Sequence, residues 1–290
     1  MSSATAVITL ARLTFKEASR RRMLLAALIL GLTFLTIYGV SFYFVEHALK
    51  EEIRRATTTA AQLQVAQRQF QNVLAVAGLY AVNFLALAMS ALLSADTLAG
   101  EINSGAIQTI AAKPLRRSEI VLGKWLGFAV LLALYLLLMA GGVVLIVYGV
   151  SGYRAPHLLR GLALIYLNSL VVMSLTLASS SIFSTLATGG IVFGLYGLAF
   201  IGGWVEQIGA YLNNSTAVNM GILSSLLMPC EALWRLAAYQ MTPPLLQSLG
   251  FGFSPFTSLS TPSALMVVYT GAYLLAALGT AIYRFKHRDL

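Results

Sequence analysis

Charge is what this sequence has least of. Only 10% of its 290 residues are Asp, Glu, Lys or Arg, and 58% are hydrophobic. Soluble domains carry about 25% charged residues, so a soluble globular fold is excluded and an integral membrane protein is expected. Cysteine is nearly absent: Cys230 stands alone, which excludes an intrachain disulfide and a thiolate metal cluster. The three histidines, His47, His157 and His287, are far apart and match no ligand spacing, so no metal site is expected. Nothing matches the phosphate loop G-x-x-x-x-G-K-[ST], because Gly123-Lys124 is followed by Trp125. The chain is therefore not expected to bind ATP itself. H-E-x-x-H and G-x-S-x-G are also missing, and no catalytic residue is expected.

The few charges are placed with a pattern. The net charge is +9, but the bases flank apolar runs, as membrane orientation requires, so nucleic acid is not an expected partner. Residues 4–22 read as an amphipathic helix, with Thr5, Thr9, Arg12, Lys16 and Arg20 on one side. Val7, Ile8, Ala11, Phe15 and Ala18 lie on the other, and Leu13 breaks the pattern. Such a helix lies in the lipid interface. Six spans follow, at residues 23–45, 73–95, 125–150, 158–183, 187–207 and 263–283. Each is about long enough to cross a hydrocarbon core of roughly 30 Å. Residues 46–72 form a mixed-charge loop, and 209–262 contain apolar runs too short to span, read as re-entrant or interfacial. Glu231, Trp234 and Arg235 read as part of an interfacial helix there.

With both termini inside, 12 of the 19 bases face the cytoplasm and 7 face outward, which satisfies the positive-inside rule. No span carries an ionisable residue near its middle, which argues against a proton-coupled carrier. In the fourth span Tyr166, Ser169, Thr176, Ser180 and Ser184 share a narrow arc. With Asn83 and Ser90 of the second span, this stripe either lines a translocation path or seals close helix packing. The fifth span is rich in glycine. Gly190 and Gly194 stand one turn apart, with Gly197 beyond, and allow another helix to approach closely.

Most of the patterned charge is in residues 96–124, DTLAGEINSGAIQTIAAKPLRRSEIVLGK, between the second and third spans. Ile102, Ala106 and Ile110 stack on one helical face, while Glu101, Ser104 and Gln108 fall on the other. Asp96 or Thr97 stands at the start and Pro114 just past the end, so a short amphipathic helix is predicted.

Gly100-Glu101, Gly105-Ala106-Ile107, Pro114-Leu115-Arg116-Arg117, Ile120 and Gly123-Lys124 resemble the loop between the second and third spans of ABC type-2 transporter permeases. The six-span layout extends the resemblance over the whole chain. It implies an all-α exporter permease fold, with an N-terminal interface helix and a cytoplasmic coupling helix. It also implies that Glu101, Ile102, Gly105, Ile107, Ile110, Pro114, Arg116 and Arg117 meet a cytoplasmic ATPase. Two ATPase copies would bind the ATP and Mg, and this chain would bind no cofactor. A second permease copy, identical or different, would pair along a seam including Gly190, Gly194 and Gly197. The implied location is the cell membrane. Many members have Thr after the second Gly, where this chain has Ala106, and the substrate is not legible. A gradient-driven carrier or channel, and a membrane scaffold without transport, are the alternatives.

Overall fold

The computed structural model describes residues 3–55, 60–103, 116–248 and 262–287. Among these, every regular element is a helix. In chain order they are α1 (Ser3–Ala18), α2 (Arg22–Arg55), α3 (Ala60–Asn103), α4 (Arg117–Ser151) and α5 (Leu158–Ser180). Then come α6 (Thr185–Tyr211), α7 (Ser215–Leu227), α8 (Cys230–Gln240), α9 (Pro244–Ser248) and α10 (Leu265–Lys286). Six of them, α2 to α6 and α10, are long and apolar enough to cross a membrane. The all-α, six-span class read from the sequence is therefore the observed one.

The helices run past the apolar segments that define them. At about 1.5 Å per residue, α2 is about 50 Å long and α3 about 65 Å, against roughly 30 Å of hydrocarbon. The mixed-charge loop is thus largely a continuation of α2 and α3. Glu46 is buried where they meet: Gln67 and Gln71 donate to its Oε1 at 3.2 and 2.9 Å, and Lys50 Nζ lies 3.5 Å away.

The core sits between α3, α4, α5 and α8. Leu79, Phe128, Leu132, Met139, Ile165 and Trp234 are fully buried in one cluster. Removing such side chains from lipid releases little hydrophobic energy, so close packing carries the association. Two glycines illustrate this. A Cβ at Gly123 would stand 2.5 Å from Leu10 Cβ, and one at Gly127 would stand 2.7 Å from the Ala11 carbonyl oxygen. Their missing side chains let α1 lie directly against α4. Arg12 and Lys16 remain exposed on the far side of α1, and the turn at Ser19–Arg21 leads into α2.

α7 and α8 are a broken pair bent by 106°. Met228 and Pro229 separate them, and Pro229 cannot donate the backbone hydrogen bond that would continue α7. With 13 residues, α7 is too short to span. It folds back on α6 through small residues: a Cβ at Gly221 would meet Glu206 Cβ at 2.3 Å, and one at Gly209 would meet Ala217 Cβ at 2.7 Å. α8, read from the sequence as part of an interfacial helix, is enclosed by protein. Glu231, Trp234 and Arg235 are at most 3% exposed. The surrounding helices enclose them, and the polar partners that permit this lie far away in sequence.

Candidate functional site

Three polar or small-residue regions punctuate the bundle. The first gathers chain ends. Helix polarity brings α1, the end of α3, the start of α4, the α5–α6 turn and the end of α10 to one end of the molecule. Thr185 Oγ1 donates to Asp96 Oδ1 at 3.1 Å, tying the α6 start to α3. Arg116 N donates to Glu119 Oε2 at 3.0 Å, satisfying a backbone donor at the α4 start. Arg117 Nη1 donates to the carbonyls of Phe285 and Lys286, at 3.3 and 3.1 Å. A cation on the last carbonyls of α10 complements the negative end of that helix. Lys124 is buried beside Thr14, Glu17 and Arg21 of the first helix and its turn.

The sequence placed the coupling residues at this end. Arg116 and Arg117 are here, and Glu101 and Ile102 fall in the last turn of α3. Gly105, Ile107, Ile110 and Pro114 lie outside the described residues.

The second region is one face of α6. Added Cβ atoms at Gly190, Gly194 and Gly197 would meet nothing within 4 Å, whereas at Gly202 and Gly203 they would collide with Ser224 and Glu231. The glycines of one helix therefore divide between an open face and a packed one. The apolar window of α6 is only 22% buried and that of α2 only 11%, against 61% for α5.

The third region is the polar interior. Asn168 Nδ2 donates to Asn83 Oδ1 at 3.1 Å and to the Cys230 carbonyl at 3.2 Å, joining α3, α5 and α8. Tyr166 donates to the Ala129 carbonyl at 2.9 Å. Ser90, Ser169, Thr176 and Ser180 are buried and donate to carbonyls of their own helices. Such back-bonding satisfies a hydroxyl without a neighbouring helix. Ser169, Thr176 and Ser180 of the hydroxyl stripe thus lie inside the subunit, whereas Ser184 is exposed in the turn before α6.

Sequence reading missed the strongest polar contact. Arg235 of α8 grips Glu206 of α6 with both terminal nitrogens, at 2.6 and 2.7 Å, and both residues are nearly fully buried. Glu231 is buried one helical turn before Arg235. The only sequence signal was an acid close to the end of an apolar span. Its partner lies 29 positions away, across the α7 turn. At the opposite end from Arg117, Asn72 Nδ2 donates to Tyr153 Oη at 2.8 Å and to the Met241 carbonyl at 3.0 Å. Burial pushes the Tyr153 phenol above its ordinary value, opposed by the Asn72 bond and by Arg68.

Six apolar helices, a helix packed on the α4 start and a charged segment between the second and third spans define a polytopic membrane protein. The chain belongs to the ABC-2 family transporter proteins: that family's model matches residues 8–290, nearly the whole chain. It is a permease component of an ABC transporter. A search of curated proteins found no match.

Proposed function

We propose that this chain is the membrane-spanning half of an ABC exporter and that it draws its power from a separate cytoplasmic ATPase. Two permease copies would enclose the path, and two ATPase copies would bind ATP and Mg. The chain itself would hold no cofactor and carry out no hydrolysis. Both termini would face the cytoplasm, in the cell membrane. The observation that carries this reading is the match of the family model to residues 8–290, with the charged segment 96–124 lying between the second and third spans.

The coupling is mechanical. Glu101 and Ile102 at the end of α3, with Gly105, Ile107 and Ile110 beyond it, would seat in a groove of the ATPase, with Pro114, Arg116 and Arg117 leading into α4. Arg117 already bonds the end of α10, so force on the segment would reach both helices. Burying one Ile is worth about 1.5–3 kcal/mol, so losing that contact would weaken docking about ten-fold or more.

The pairing surface would include the open glycine face of α6, with Gly190, Gly194 and Gly197, and the largely unburied α2. Gly105→Trp tests the coupling. We expect the variant to insert and pair normally, to lose pull-down of the ATPase, and to abolish substrate-stimulated ATP hydrolysis in the reconstituted complex. Equal pull-down and equal hydrolysis in both proteins would remove the coupling role.

A further inference from the structure

Between α6, α7, α8 and the start of α10 lies a cavity of about 380 Å³. Small-molecule sites occupy roughly 300–1,000 Å³, with mostly apolar walls and a few convergent polar groups. This cavity has that composition. Ile222, Leu226 and Met266 supply apolar wall, and Ser225, Glu206 and Arg235 supply the polar groups.

The polar groups are incompletely satisfied. Arg235 spends its two terminal nitrogens on the two oxygens of Glu206. Its Nε and the Ser225 Oγ are buried with no hydrogen-bond partner among the described residues. Buried donors left unpaired are costly, and native proteins rarely tolerate two in one place without a further partner. Another cavity, of about 280 Å³ near Tyr153, differs in this respect. Its Arg154 is engaged by the Tyr148 hydroxyl at 2.8 Å and lies 4.6 Å over that ring.

We propose that the cavity binds a neutral amphiphile of the acyl-ester class. Its carbonyl oxygen accepts hydrogen bonds at the Ser225–Arg235 end, and its chain lies along Ile222, Leu226 and Met266. The Ser225 hydroxyl hydrogen turns to suit an acceptor. The head is uncharged because Glu206 and Arg235 neutralise each other and the lining offers no other charged side chain. A cation finds no carboxylate oxygen in the lining that Arg235 has not already engaged.

The site belongs to a single subunit and does not rest on the transporter reading, so its test uses the purified permease without an ATPase. The probe is a fatty-acyl methyl ester carrying a diazirine on its chain, photolysed with the protein in detergent and mapped by mass spectrometry. Saturable labelling of residues 222–226 and 265–269 is expected. Ile222→Trp, at a half-exposed position, should block it by filling the cavity. Ser225→Ala should raise the half-saturating concentration about three- to ten-fold, the worth of one neutral hydrogen bond. Should Ile222→Trp fail to fold, the Ser225→Ala shift decides alone. Competition by unlabelled methyl ester alone supports a free amphiphile as occupant, and competition by phosphatidylcholine supports a bilayer lipid offering the same ester. Non-saturable labelling spread over α2 and α10, unchanged by Ser225→Ala, would overturn the proposal.

Discussion

At the residue scale the most consequential contact is the Glu206–Arg235 pair. Two charges nearly removed from solvent gain little over a well-packed apolar pair. Removing one partner strands the other, at about 3–5 kcal/mol. Glu206→Leu and Arg235→Met should each lower the thermal midpoint of the purified protein strongly, while the double variant should lie closer to the parent. The check is a double-mutant cycle read by thermal unfolding in detergent. Additive losses would mean that the two side chains stabilise α6 and α8 independently. Arg117 makes a smaller contribution. Arg117→Ala should cost about 1 kcal/mol or more, because the α10 carbonyls lose a charged donor. Proteolysis in the 262–290 region should then accelerate.

At the element scale α6 offers an internal control. Its glycines were legible in the sequence as a group, and the structure separates them by face. Gly194→Leu, on the open face, should lower the fraction of paired permease on native electrophoresis and leave the thermal midpoint of the monomer in place. Gly221→Leu, on the facing side of α7, should do the reverse, since its side chain would enter the Glu206 backbone. Identical effects from both would place the pairing surface elsewhere. The same reasoning applies to α1. Gly127→Leu should detach it from α4, detected as faster cleavage between residues 3 and 18, because a side chain there meets backbone that cannot yield.

At the scale of the whole molecule, orientation is the property to measure. Positive-inside bias puts both termini and residues 96–124 in the cytoplasm. Cysteines introduced at Ser2 and Asp289 should be shielded from an impermeant thiol reagent in intact cells, and one at Gln64 should be labelled. The native Cys230 is fully buried, so it should give no background. Opposite labelling of Ser2 and Asp289 would contradict an even number of crossings.

The sequence by itself determined the class. Scarce charge, long apolar runs and clustered bases act locally, through transfer from water to lipid, and each is readable within about twenty residues. That is why six spans were legible in the sequence, while the resemblance to the transporter family rested on the motifs between Gly100 and Lys124 together with that layout. Only the tertiary structure decided where Glu231, Trp234 and Arg235 lie. Burying a charge depends on a partner, and Glu206 reaches Arg235 only after α7 folds back against α6. The stripe of Ser169, Thr176 and Ser180 reads more readily as close helix packing than as a path, and the sequence alone does not decide between them. Its place inside the subunit follows from how α3, α8 and α10 surround α5, and helical periodicity carries no information about a neighbour. For the same reason the glycines of α6 were visible as a motif, and their division into a packed face and an open one was not.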